Sequence, residues 1–140
     1  MRPRRVLETC LYAHDLAAAE RFYAGVLGLQ VIARQPGRHV FLRCGEGVLL
    51  LFDPRATRAG PASVPAHGAE GPGHAALAVQ AAELGGWREH LERAGVAIEA
   101  EVDWPGGGRS LYVRDPAGNS LELATPAVWG LPDPDPPSAP

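Results

Sequence analysis

Residues 109–122 read Arg109-Ser110-Leu111-Tyr112-Val113-Arg114-Asp115-Pro116-Ala117-Gly118-Asn119-Ser120-Leu121-Glu122. Leu111 and Val113 alternate with Ser110, Tyr112 and Arg114, and Leu121 and Leu123 alternate with Ser120, Glu122 and Ala124. This two-residue period is that of half-buried strands. Between the runs, Asp115-Pro116-Ala117-Gly118-Asn119 is a strong turn signal. A hairpin closed by that loop pairs Arg114 with Ser120 and Tyr112 with Glu122. The apolar side chains then share one face and Glu122 lies on the other. A carboxylate in so apolar a strand is costly to bury unless it is paired or bound to a metal.

Upstream of the hairpin, Leu84, Trp87, Leu91 and Ala94 form a helical stripe closed by Gly95. Gly85-Gly86 costs that helix about 1 kcal/mol per glycine and invites fraying of its first turn. His74–Val79 and 96–102 read as strands, so this half runs strand, helix, three strands. The first half repeats the order. Val6–Ala13 alternates, Asp15 is a natural N-cap, and Leu16, Ala19, Tyr23, Val26 and Leu27 recur at helical spacing before Gly28. Strands follow over 29–33, 39–43 and 48–52. The spacing therefore predicts an α+β fold of two tandem βαβββ modules, over 1–53 and 72–125. A Pro-, Gly- and Ala-rich linker (54–71) joins them. The tail, 126–140, has six prolines in fifteen residues and reads as extended or disordered, and as dispensable for folding from Leu131 onward.

Alternation places Leu7, Leu11, Val40, Leu42, Leu49 and Leu51 beneath the first helix. It leaves Glu8, Cys10, Tyr12, His39, Phe41, Arg43, Leu50 and Phe52 on the opposite face. One helix covers one face of a four-stranded sheet, so the other must face water or curl around something. Two such sheets can form a half-open mixed β-barrel around a cavity, with Glu8, His74 and Glu122 projecting into one hollow.

Composition narrows the function classes. The 140 residues are 46% hydrophobic and carry a net charge of −3, with no basic stripe, which gives nucleic-acid binding little support. No apolar run approaches the roughly 20 residues that span a bilayer. The N-terminus is a poor signal peptide, and Cys10 and Cys44 lack CxxC spacing and read as reduced thiols. A cytoplasmic protein without a membrane partner is the default expectation.

Three segments resemble the vicinal-oxygen-chelate superfamily, which includes glyoxalases, bleomycin-resistance proteins and extradiol dioxygenases. Asp15–Leu29, with Ala19-Glu20-Arg21-Phe22-Tyr23 and Val26-Leu27-Gly28-Leu29, is similar to the family's opening motif. Gly73-His74-Ala75-Ala76-Leu77-Ala78-Val79 resembles the start of its second module, and Arg109–Glu122 its closing motif. Together they cover most of residues 5–125. The resemblance implies homodimers, and metal ligands in the first and last strand of each module. Carried over by position, these are Glu8, His74 and Glu122; the fourth position is Leu50, which cannot bind metal. A three-ligand pattern is similar to that of fosfomycin-resistance transferases and extradiol dioxygenases, which usually carry His where this chain has Glu8.

On this reading one divalent ion (Mn, Fe, Zn, Ni or Mg) binds at Glu8, His74 and Glu122 and chelates a small-molecule substrate through vicinal oxygens. Glu8 and Glu122 are also the candidate bases. Tyr12, Phe41, Arg43, Phe52, Arg109 and Tyr112 are candidate substrate contacts. Lyase, isomerase and transferase reactions fit; dioxygenase chemistry fits least, because the site has one His. The alternative is a metal-free protein that sequesters a ligand or antibiotic against Phe41, Phe52, Trp104 and Tyr112. Simpler readings stand beside these. His74 could be bonded to backbone, and Glu8 paired with Arg43 or Arg114. His39 could be a solvated strand end, Cys10 a buried hydrophobe, and Asp115 and Asn119 turn residues.

Overall fold

The computed structural model describes residues 1–60 and 63–134. These form two compact units, one of Met1–Gly73 with Asp115–Asn119, the other of His74–Arg114 with Ser120 onward. Each contains one βαβββ module and one mixed four-stranded sheet that does not close on itself. Among the described residues, no helix is long and apolar enough to cross a membrane.

In the first unit, β1 (Glu8–Tyr12) leads to α1 (Leu16–Glu20), a π-helical turn (Arg21–Val26), β2 (Gln30–Gln35), β3 (His39–Cys44), β4 (Gly47–Phe52) and α2 (Pro54–Arg58). The sheet order is β1-β4-β3-β2, with β1 parallel to β4 and the other pairs antiparallel. Asp15 caps α1 by accepting from the Ala18 N–H at 2.9 Å. The single helix read from the sequence widens after Glu20, where the Leu27 N–H donates five residues back to the Phe22 carbonyl. That turn buries the adjacent Phe22 and Tyr23 side chains, and Gly28, at φ +71°, ends it. Leu11, Val40, Leu42, Leu49 and Leu51 are buried as alternation requires, but Leu7 is 63% exposed. The β1–β4 ladder starts at Glu8↔Val48; the Leu7 carbonyl still accepts from the Val48 N–H at 3.2 Å, but its side chain lies outside the core.

The segment read as a linker carries more structure than its composition indicated. Asp53 accepts from the Arg55 N–H at 2.8 Å and Pro54 occupies the first turn, which starts α2 and buries Pro54 and Thr57. The turn 115–119 is also more than a turn. Asp115 accepts from the Tyr23 hydroxyl at 2.8 Å and from the Ala117 and Asn119 N–H groups. Asn119 donates to the Tyr12 carbonyl and accepts from the Gly73 N–H. Both side chains are buried.

The second unit holds β5 (His74–Ala78), α3 (Leu84–Arg93), β6 (Ile98–Asp103), β7 (Arg109–Arg114) and β8 (Ser120–Ala124), in the order β5-β8-β7-β6. Arg114 faces Ser120 and Tyr112 faces Glu122, the register read from the hairpin. Leu84 and Leu91 of α3 are buried, as are Leu111, Val113, Leu121 and Leu123. The tail departs from expectation. Pro126–Trp129 forms a 3₁₀ turn rather than extended chain. Beyond it, Asp133 accepts from the Ala81 N–H and the Pro134 carbonyl from Gln80, both at 3.0 Å. Residues 135–140 lie outside the described residues.

Candidate functional site

The parallel β5–β8 ladder places His74 opposite Ser120 and Ala76 opposite Glu122. The His74 Nδ1 lies 3.2 Å from the Ser120 carbonyl oxygen, and its Nε2 lies 3.6 Å from Glu122 Oε2. A proton on Nδ1 satisfies that carbonyl and leaves Nε2 with its lone pair toward the carboxylate. The bond to backbone and the approach to Glu122 therefore coexist in one imidazole.

Glu122 is 7% exposed. The Ser110 hydroxyl donates to its Oε1 at 2.5 Å. That hydroxyl is itself oriented by the Trp104 indole N–H, which donates to Ser110 Oγ at 2.9 Å. A buried carboxylate thus has one oxygen held by the Ser110 hydroxyl, which offsets part of the desolvation cost posed by its apolar strand, and the other turned toward the His74 imidazole. Tyr112 lies beside the same carboxylate, its ring roughly parallel to that of His74 with centroids 6.5 Å apart. Burial first, then Glu122, raises the Tyr112 phenol above its ordinary range.

The first unit contributes a cavity of about 610 Å³ on the open face of its sheet, lined by Glu8, Tyr12, Arg38, His39, Phe41, Leu50, Phe52 and His67 among others. Its floor is a run of rings. His39 stacks on Phe41 at 4.0 Å, and Phe52 stands edge-on to Phe41 at 5.4 Å and to His67 at 4.9 Å. The Tyr12 hydroxyl is 2.7 Å from His67 Nδ1, and the Cys10 thiol donates to it at 3.6 Å. Burial, with Cys10 second, pushes the Tyr12 pKa up to about 12. His39 is no solvated strand end. Its Nδ1 is buried without a hydrogen-bond partner, and burial, then Arg38, holds the imidazole below its ordinary pKa.

The structure brings His74, Glu122 and Tyr112 together, and separately gathers Tyr12, Phe41 and Phe52 around the cavity that Glu8 also lines. Glu8 is exposed at the start of β1. Arg43 is exposed on β3, opposite Val48. Arg109 is engaged with Asp103 at 2.7 Å, and Arg114 with Glu99. Among the described residues, no three His, Cys, Asp or Glu side chains are grouped closely enough to hold a metal ion. Ser110, Arg38, and His67 with its neighbours were not singled out from the sequence as site residues, and Trp104 was read only as a ligand contact of the metal-free alternative, whereas here it donates to Ser110. His67 sits in a stretch whose composition reads as linker, and Ser110 looks like any polar strand residue until Trp104 is folded back onto it.

Comparison with known proteins agrees with this architecture. The family model described as Glyoxalase/Bleomycin resistance protein/Dioxygenase superfamily matches residues 5–123. A crystal structure of lactoylglutathione lyase from Agrobacterium tumefaciens is similar at 42% identity and a TM-score of 0.90, covering 94% of this chain and 100% of that one. A glyoxalase/bleomycin resistance protein/dioxygenase from Nocardioides is similar at 25% identity and a TM-score of 0.70, covering 100% of this chain and 92% of that one. Among curated proteins, none matches the chain. With a family model spanning nearly the whole of both modules and a solved relative at 42% identity, this chain belongs to the glyoxalase/bleomycin resistance protein/dioxygenase superfamily.

Proposed function

We propose that this chain is a glyoxalase-type enzyme that acts, with one divalent metal ion, on a small molecule bearing two adjacent oxygens. The observation that carries the reading is the His74–Glu122 pair, an imidazole Nε2 and a carboxylate oxygen 3.6 Å apart on neighbouring strands. Support also comes from the 42% identity to a protein named as a lactoylglutathione lyase. Nitrogen and oxygen donors of this kind suit Mn, Fe, Zn, Ni or Mg. His74 and Glu122 are the core of the donor set, and Glu8 is the third donor in this reading. A bound ion would polarise the substrate oxygens and stabilise negative charge as it develops. Ser110 keeps Glu122 Oε1 occupied so that Oε2 faces His74, and Tyr112 offers a hydroxyl beside the same carboxylate. Glu8 and Glu122 are the groups available to take a proton from substrate. Lyase, isomerase and transferase reactions all fit this donor set.

Melting curves of chelator-treated protein with Mn, Zn, Ni, Fe or Mg test the reading. An ion present at 100 times its Kd should add about 2.7 kcal/mol. His74→Ala and Glu122→Gln should each remove most of the shift and Glu8→Gln part of it. The shift should shrink on acidification, because the donors must be deprotonated. A wild type whose melting ignores every ion overturns the metal-dependent reading. What would remain is a metal-free ligand-sequestering protein, which the ring-lined cavity favours.

A further inference from the structure

The cavity of the first unit has two unlike ends. Glu8 and Tyr12 bracket β1, four residues apart, which at about 3.3 Å per residue sets them about 13 Å apart. Glu8 marks one end with a carboxylate. Phe52 faces both Tyr12 and His39, so the far end is where β3 begins, and Arg38 immediately precedes β3 there. Between them the floor is apolar, made of Phe41, Leu50 and Phe52, with Phe41 and Leu50 only half-buried.

Arg38 is the cavity's cation. Its Nη1 donates to the Ala56 carbonyl at 3.1 Å, and among the described residues no carboxylate pairs with it. A guanidinium carries five donors in a planar fork that suits a carboxylate. His39 competes little as a second cation, because burial, then Arg38, holds its imidazole below the ordinary value, and its buried Nδ1 has no partner. The rings of His39, Phe41, Phe52 and His67 line the hollow and pack on one another, face to face between His39 and Phe41 and edge-on between Phe52 and its neighbours, a rigid aromatic wall that favours a flat π-system over a flexible chain. A volume of about 610 Å³ is that of a small-molecule site.

We propose that this cavity binds a planar aromatic acid, its ring over Phe41 and Phe52 and its carboxylate on Arg38. Glu8 repels the acid and fixes the direction, so the end of the ligand away from the carboxylate points to Glu8. That orientation rests on the reading of Glu8 as part of the reactive end. The binding of ring and acid does not.

The test is calorimetric titration of the chelator-treated full chain with 2-naphthoate, its neutral isostere 2-naphthamide, and the saturated acid cyclohexanecarboxylate. Wild type should bind 2-naphthoate about tenfold or more tighter than 2-naphthamide, the effect of one charge-assisted fork. The saturated acid should be weaker by a similar factor. Arg38→Gln should bring naphthoate and naphthamide to equal affinity. Phe41→Leu should weaken both and leave their ratio unchanged. Melting temperatures near wild type would show that both variants fold. Equal binding of acid and amide by wild type, an unchanged ratio in Arg38→Gln, or no binding of either ring compound overturns the proposal. Because the titrations contain no metal, this result is independent of whether metals stabilise the protein.

Discussion

Ser110 shows how much a single side chain can carry. It accepts from the Trp104 indole and donates to Glu122, so Ser110→Ala leaves both partners without their bond. An unsatisfied buried group costs roughly 1–3 kcal/mol, and denaturant unfolding of the variant should show a loss in that range. Titrating groups predict two further responses. Burial, then Asp115, pushes the Tyr23 phenol far above its ordinary value. The folded protein then keeps a proton that the unfolded chain releases near pH 10, so stability present below that pH is lost as pH rises above it. Tyr23→Phe should flatten this alkaline slope, as thermal unfolding across pH 9–11 would show. His39 acts in the opposite sense. Its lowered folded pKa gives stability that is present above the ordinary value of 6.5 and is lost as pH falls through the folded pKa. At this scale strand alternation and an apolar context single out Glu122, and the β5–β8 ladder sets His74 beside it. Ser110's role was hidden, because it depends on the Gly106-Gly107-Gly108 turn that brings Trp104 back over β7.

The elements were legible wherever periodicity was strong. The β7–β8 register follows from alternation alone, since a slip of one residue would bury Tyr112 and expose Leu111. The start of β1 was not, because Val6 and Leu7 continue the apolar pattern ahead of the first ladder pair, Glu8↔Val48. Nor was α2, where an Asp-Pro start lay inside a stretch whose composition resembles a linker. Asp53→Ala should cost about 1 kcal/mol by removing that helix's cap, and chemical denaturation can check it. Edge strand β6 carries Glu99, Glu101 and Asp103, paired with Arg114, Arg88 and Arg109, which discourages pairing with another chain. Gly108 is the tightest point between elements. At φ +86°, an added Cβ would lie 2.4 Å from the Val128 backbone nitrogen. Gly108→Ala should therefore destabilise by on the order of 2–3 kcal/mol and loosen the 3₁₀ turn at Pro126–Trp129, measurable as a lower melting temperature.

For the whole molecule, the family pattern and the exposed Val6, Leu7, Trp129 and Leu131 lead us to expect a homodimer, twice the 14.8 kDa chain. Light scattering that finds only monomer at micromolar concentration would reject it. Proline content made the tail look detachable; the bonds that Asp133 and Pro134 accept from Ala81 and Gln80, just ahead of α3, predict otherwise. Truncation after Gly130 should lower stability by on the order of 1 kcal/mol, and Asp133→Ala should reproduce part of the loss. The loop 115–119 has a different kind of consequence. Tyr23 is sealed in the first unit, yet its acceptor, Asp115, is translated 92 residues later. As the chain leaves the ribosome, the early half waits with a buried hydroxyl lacking its partner and with no Asn119 to hold the Tyr12 carbonyl. Final closure of the N-terminal half is thus postponed until residues 115–119 have left the ribosome, and a nascent chain stalled before Asp115 should be readily cut by protease, whereas one stalled behind a spacer that carries Asn119 clear of the exit tunnel should resist.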